Sequence, residues 1–186
     1  MRISFVVTVF VALAACPASA YDGEQTLDSW VSGMLRRVPF KDGFFNHEAL
    51  VKHSQGYLEG LITHYRTVGE RPRRRAEEAG DVFRVHEIDD RTAKMIGEAE
   101  TYVSSTTAGM TMTLDPEGTG KVTRKAARER LEQLAEKADS NRDGMLDRFE
   151  ATIAEAAFAK GVDLGEPSAE IALQRELDLS LSYWEQ

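Results

Sequence analysis

The sequence has 186 residues, of which 42% are hydrophobic and 29% charged, and its formal net charge is −8. This hydrophobic fraction is sufficient for a folded core and argues against an intrinsically disordered chain. The excess of acidic residues argues against a dedicated nucleic-acid-binding protein, which usually carries a basic surface. A single cysteine excludes an intrachain disulfide framework and any zinc site built from cysteines.

The first twenty residues have the features of a secretory signal peptide. Arg2 provides a positive start, an apolar run extends from Ile3 to Ala15, and Ala18-Ser19-Ala20 offers the small residues that a signal peptidase recognises. We expect cleavage after Ala20 and export to the periplasm or the medium. The alternative is a lipid anchor in the envelope through Cys16, because Leu13 to Cys16 resembles a bacterial lipobox. The rest of the sequence contains no transmembrane segment.

Helical spacing of apolar residues dominates the remaining chain and predicts an all-α protein. A short helix is expected from Trp30 to Arg37, capped by Asp28 or Ser29 and stopped before Pro39. A longer helix is expected from His47, after the cap Asn46, to about Thr67. The stretch from Gly69 to Gly80, which contains the basic run Arg71–Arg75, is predicted to be a linker or a short solvated helix.

Four further helices are expected in the second half of the chain. The apolar spacing indicates them over about Asp89–Leu114, Ala126–Ala138, Asp147–Lys160 and Ser168–Leu181. Gly161 is positioned to end the third of these helices.

The most informative stretch lies between the second and third of these helices. It reads D-S-N-R-D-G-M-L-D-R-F-E from Asp139 to Glu150. Oxygen-bearing side chains occupy loop positions 1, 3, 5, 9 and 12, glycine occupies position 6, and an apolar residue occupies position 8. This stretch resembles the twelve-residue loop of the EF-hand calcium-binding family, in particular the closely spaced loops of bacterial secreted EF-hand proteins. The resemblance covers about residues 100–162.

The resemblance implies that the loop binds one Ca²⁺ through oxygen ligands. Alternate side chains of such a tightly curled loop point inward, Met145 contributes only its backbone carbonyl, and Glu150 binds with both carboxylate oxygens. Asp147 binds directly or through a water molecule, and it can also cap the following helix. The predicted metal ligands are Asp139, Asn141, Asp143, Met145, Asp147 and Glu150.

A second, degenerate loop extends from Asp115 to Ala126 and begins 24 residues upstream (139 − 115). It keeps Asp at position 1, Gly at position 6 and an apolar residue at position 8, but Ala126 replaces the bidentate Glu. We expect it to act as a scaffold in which Val122 pairs with Leu146, the residue at position 8 of the intact loop. The segment from Asp42 to Asn46 has a fainter similarity to the middle of such a loop and is predicted to be a turn.

Together these features predict an exported, all-α calcium-binding protein with an EF-hand pair over residues 89–162. Residues 21–88 form an N-terminal helical region of unknown function, and residues 163–186 hold a C-terminal helix. Calcium is expected to be structural or a weak regulatory switch. The alternative is an envelope interaction or scaffold protein whose N-terminal helices bind an unidentified protein partner. We predict no enzymatic activity, because the sequence contains no catalytic motif on which to base one and His53 and His64 are too far apart on one helix to share an ion. An enzyme whose site no motif reveals is the third alternative, and a deep pocket lined by His53, His64 or His86 would favour it.

Overall fold

The computed structural model describes residues 24–165, which are mostly helical, and the all-α prediction is confirmed for them. The predicted signal peptide, Cys16 and the predicted helix from Ser168 to Leu181 lie outside the described residues. None of the helices in residues 24–165 is both long and apolar enough to cross a membrane. In chain order the elements are β1 (Gln25–Thr26), α1 (Leu27–Arg37), β2 (Phe40–Lys41), β3 (Phe44–Phe45), α2 (His47–Glu78), α3 (Val82–Leu114), α4 (Arg124–Ala138), β4 (Met145–Leu146) and α5 (Arg148–Lys160).

Helix α1 begins at Leu27, earlier than predicted, because Thr26 is its N-cap. The Thr26 hydroxyl accepts a hydrogen bond from the backbone N–H of Ser29 at 3.2 Å, so the expected caps Asp28 and Ser29 are wrong. The helix ends at Arg37 because Pro39 disfavours a helical conformation at the preceding residue, Val38, which is extended.

Strands β2 and β3 form a short hairpin directly after α1. The two residues of its turn, Asp42 and Gly43, have φ values of 54° and 84°. Positive φ at both central residues is the signature of a type I′ turn, for which Asp-Gly is a preferred sequence. The predicted turn is confirmed at Asp42 and Gly43, whereas Phe44 and Phe45 of the same segment belong to β3.

Helices α2 and α3 form a long antiparallel hairpin. Helix α2 has 32 residues and continues through Gly69 and Pro72 to Glu78, so the predicted helix end near Thr67 is wrong. Gly69 permits a close approach to α3, since a Cβ at this position would lie 2.8 Å from the Thr92 hydroxyl oxygen. Helix α3 begins at Val82, seven residues before the predicted Asp89, and the predicted boundary between residues 88 and 89 lies inside it.

The main hydrophobic core brings together the two ends of the described chain. Helix α1 contributes Trp30, Val31, Met34 and Leu35, which pack in one cluster with buried residues of α4, α5 and the end of α3. Leu131 of α4 and Phe158 of α5 are among the most deeply buried residues, at 0% and 1% exposure. Residues from both sides of the predicted 88/89 boundary therefore share this core.

The short strands pair differently from the prediction that places Val122 opposite Leu146. Leu146 lies opposite Gln25 in the antiparallel β1–β4 pair. Val122 instead accepts a hydrogen bond from the backbone N–H of Phe45 at 2.7 Å. The reason is the helix that joins the two loops: α4 has 15 residues, which corresponds to a length of about 22 Å, and this holds Val122 and Leu146 at its opposite ends.

Candidate metal centre

The loop from Asp139 to Glu150 joins α4 to α5, as predicted. The backbone N–H of Asp139 closes the last turn of α4 on the carbonyl of Ala135. Two residues inside the loop have left-handed backbone conformations, namely Arg142 with φ 61° and Gly144 with φ 79°. Such conformations curl the chain tightly, and at position 6 of the loop glycine adopts one without steric cost.

The carboxylate of Asp139 organises the first half of the loop from the inside. It is only 7% exposed. One of its oxygens accepts the backbone N–H of Asp143 at 3.3 Å, and the other accepts the N–H of Gly144 at 2.9 Å. The loop is therefore wrapped around this carboxylate, as expected for the first ligand position.

Asn141 and Asp143 lie on the exposed side of the loop. The side-chain oxygen of Asn141 accepts the N–H of Asp143 at 2.9 Å, and Asp143 in turn accepts the N–H of Met145 at 2.8 Å. The Asn141 amide also donates to the Asp143 carboxylate at 3.0 Å. Both side chains are exposed, so they can rotate without disturbing the core.

Asp147 and Glu150 begin helix α5 with a reciprocal capping arrangement. The Asp147 carboxylate accepts the backbone N–H of Glu150 at 2.8 Å, and the Glu150 carboxylate accepts the N–H of Asp147 at 3.1 Å. The prediction that Asp147 caps the following helix is confirmed. This cap fixes the position of Glu150 at the far end of the loop.

Glu150 is the most deeply buried acidic residue of the loop, with 3% exposure. Its second carboxylate oxygen accepts both the backbone N–H of Ser140, at 2.9 Å, and the Ser140 hydroxyl, at 2.7 Å. Burial alone would raise the pKa of Glu150, but these hydrogen bonds and the one from Asp147 hold the pKa below its ordinary value. Ser140 thus holds the Glu150 carboxylate in place, a contact that the sequence did not predict; the Ser140 hydroxyl, next to the first position of the loop, was the available signal.

The degenerate loop from Asp115 to Ala126 has a closely similar backbone. Its left-handed residues are Gly118 and Gly120, which occupy loop positions 4 and 6, the same positions as Arg142 and Gly144 in the intact loop. The Asp115 carboxylate accepts the N–H groups of Thr119 at 3.0 Å and Gly120 at 2.7 Å. The residues four and five positions after the first Asp therefore donate to it in both loops.

The degenerate loop differs from the intact loop in its charge balance. The Arg130 guanidinium, on α4, donates to the carbonyl of Leu114 next to Asp115. Burial alone would raise the pKa of Asp115, but its hydrogen bonds and the positive charge of Arg130 lower the pKa overall. At position 12 the small side chain of Ala126 offers no ligand. Arg130 thus supplies positive charge at the degenerate loop.

The histidines between residues 24 and 165 belong to no cluster that could hold a metal ion. The four histidines at positions 47, 53, 64 and 86 are all exposed. In the basic run, Arg73 forms ion pairs with Glu77 at 2.6 Å and with Asp89 of α3 at 2.9 Å. Arg74 lies 3.8 Å from Glu78. The charges of these two arginines are therefore neutralised locally, and they help to keep α2 helical beyond Thr67.

Within residues 24–165, no three His, Cys, Asp or Glu side chains converge closely enough to hold a metal ion, and this includes the acidic residues of the intact loop. The donor set nevertheless fits Ca²⁺ in chemistry and order, since the loop places two buried carboxylates at its ends and exposed oxygen donors between them. Ion binding requires exposed side chains of the loop to rotate inward.

Comparison with protein-family models, with curated proteins and with solved structures found no match to this chain. The interpretation of the loop therefore rests on its own residues and backbone geometry.

Proposed function

We propose that this chain is an exported calcium-binding protein of the EF-hand type, in which the loop from Asp139 to Glu150 takes one Ca²⁺. The observation that carries the proposal is the burial of two carboxylates, Asp139 and Glu150, at the two ends of one curled loop. Hydrogen bonds stabilise each of these carboxylates, but they leave two negative charges in one loop. A divalent cation bound between them would balance both charges.

The matching backbone of the two loops adds support. Left-handed residues at positions 4 and 6, and a first Asp that accepts the same two backbone N–H groups, occur in both loops. This repetition supports two related helix–loop–helix units that share α4. We propose that only the loop ending in Glu150 binds calcium, while the loop ending in Ala126 acts as a scaffold stabilised by Arg130.

The ligands of the proposed site are Asp139, Asn141, Asp143, the carbonyl of Met145, Asp147 and Glu150. Asp139 and Glu150 are already held in place, whereas Asn141 and Asp143 turn inward from the surface. Four carboxylates in one loop repel one another, so ion binding also orders the loop. Outside the cytoplasm, a calcium ion in such a site acts mainly as a structural element or a weak regulatory switch, and we propose no catalytic role.

The test is a calorimetric titration of calcium into metal-stripped protein that begins at Tyr21. We expect one site, and Glu150→Gln should abolish or severely weaken binding because it removes the bidentate ligand. Glu117→Gln is the matched control, since Glu117 is an exposed acid of the degenerate loop. Two sites would show that the degenerate loop also binds. Absence of heat up to millimolar calcium would refute the proposal.

A second candidate function is docking to a protein partner through the α2–α3 hairpin. It is favoured by one observation: Phe83, at the end of the hairpin where α2 turns into α3, is 91% exposed, and its neighbour Val82 is 63% exposed. Cross-linking in envelope extracts tests this candidate. Phe83→Ser should abolish a specific cross-link and leave calcium affinity unchanged, whereas an unaffected cross-link pattern would rule out this surface.

A further inference from the structure

The intact loop is paired along one edge with the segment Gln25–Leu27, which we call the N-terminal strap. Gln25 lies opposite Leu146, and Thr26 lies opposite Met145. The backbone N–H of Leu27 donates to the carbonyl of Gly144 at 3.4 Å. The strap therefore covers loop positions 6, 7 and 8, which include the residue whose carbonyl is the proposed backbone ligand.

The strap is anchored on the side of α1. Thr26 caps α1, and the following residues Trp30 and Val31 are buried in the main core at 3% and 0% exposure. Asp28 also forms an ion pair with Arg128 of α4. The position of the strap is thus fixed by the same helices that hold the two ends of the loop.

We infer that the N-terminal strap is a regulatory part of the calcium site, so that docking of the strap and calcium binding stabilise each other. This inference rests on the proposed function. Pairing with the strap fixes the backbone of β4 and hence the direction of the Met145 carbonyl. A loop with a fixed backbone loses less conformational freedom on binding an ion than a loop with a free edge. By linkage, calcium must in turn favour the docked strap.

The strap, although distant in sequence, pairs with β4 in the way that the sequence predicted for the second loop. The degenerate loop cannot fill this role, because α4 holds Val122 and Leu146 apart and Val122 is paired with Phe45. Any event that displaces the strap, such as proteolysis near Gln25, is expected to weaken calcium binding.

The first test compares calcium affinities of two variants at one position, measured by calorimetry on the chain from Tyr21 to Gln186. Gln25→Pro removes a backbone N–H and disrupts the pairing with Leu146, whereas Gln25→Ala retains the backbone and is the matched control. If the whole free energy of one backbone hydrogen bond is coupled to calcium binding, its loss lowers the affinity by up to about fivefold. We expect this decrease in Gln25→Pro and little change in Gln25→Ala.

The second test uses the unsubstituted chain and does not depend on the folding of a variant. Leu27 is the first residue of α1, so its N–H has no partner within the helix, and its exchange with solvent reports the bond to Gly144. We expect calcium to slow exchange at Leu27 several-fold, and we expect no such effect in Glu150→Gln. The Ala49 amide, which donates to the Asn46 cap of α2, serves as an internal reference.

The outcomes separate the inference from the proposed function. Equal calcium affinities of Gln25→Pro and Gln25→Ala, or exchange at Leu27 that calcium does not slow, would overturn the role of the strap and leave the calcium site intact. If the unsubstituted chain binds no calcium, the proposed function fails and the inference fails with it. Circular dichroism checks that Gln25→Pro is folded. If this variant does not fold, exchange of the Leu27 amide in the unsubstituted chain decides whether the strap is coupled to the calcium site.

Discussion

Helices α3 and α5 approach each other closely at one glycine, Gly109, and a substitution there tests this contact directly. A Cβ added at Gly109 would lie 2.1 Å from the carbonyl oxygen of Ala159 and 2.5 Å from the carbonyl carbon of Lys160. Both atoms belong to the backbone of α5, so no side-chain rotation relieves the overlap. An ordinary carbon–oxygen contact of about 3.3 Å requires the two backbones to separate by about 1 Å.

We therefore expect Gly109→Ala to destabilise the protein. Overpacking of this kind costs about 1–3 kcal/mol, and the higher helix propensity of Ala offsets about 1 kcal/mol of it, which leaves a net loss of up to about 2 kcal/mol. The loss also bears on the metal centre, because α5 leads directly out of the loop. We expect lower calcium affinity in the same variant.

The assay is urea unfolding followed by circular dichroism, with Gly97→Ala as the matched control. Gly97 lies on the same helix, and a Cβ at this position would meet no atom within 4 Å. The control should gain about 0.5–1 kcal/mol from helix propensity alone. If Gly109→Ala is as stable as Gly97→Ala, the close approach of α3 and α5 is wrong.

Three further predictions concern other parts of the fold. The pKa of Asp115 is lower in the folded protein than its ordinary value of 3.8, so the ionised carboxylate stabilises the fold above pH 3.8. This contribution is lost as the pH falls through the lowered pKa. In urea unfolding measured as a function of pH, Asp115→Asn should therefore be less sensitive to acid than the unsubstituted protein. Gly43→Ala should cost about 1 kcal/mol because φ is 84° there, whereas Gly33→Ala, in open space on α1, should be neutral or stabilising in the same unfolding assay. A fragment of residues 21–99 lacks the helices that bury Trp30, so it should show no cooperative unfolding by circular dichroism; a folded fragment would contradict the shared core.

Local sequence signals were sufficient to predict α4, α5 and the loop between them. Thr123 caps α4 through its hydroxyl, and Gly161 ends α5 in a left-handed conformation with φ 66°. Several side chains that wrap the loop act over five residues or fewer, as in the bonds from Asp143 and Gly144 to Asp139. The bonds from Ser140 to Glu150, which span ten residues, do not belong to this group. Such short-range interactions leave a readable pattern in the sequence.

The parts that could not be predicted depend on contacts between distant residues. Helix α2 continues beyond Thr67 because it packs against α3 and because Arg73 bridges to Asp89, and this support overrides the weak helix propensity of Gly69 and Pro72. The pairing of Gln25 with Leu146 is equally invisible in the sequence. A strand of two residues has no measurable periodicity, so no pattern identifies its partner.

The length of α4 connects the fold to the proposed role of calcium. Because α4 separates the two loops, each loop takes its strand partner from the first part of the described chain: β1 pairs with the intact loop, and β3 contacts the degenerate one. Helix α5, at the other end of the intact loop, is held against the backbone of α3 at Gly109. Both sides of the loop are thus fixed, and the exposed side chains of Asn141 and Asp143 are the ones that can rearrange. An ion bound here is expected to order these side chains without opening a groove between helices, as a structural calcium site does.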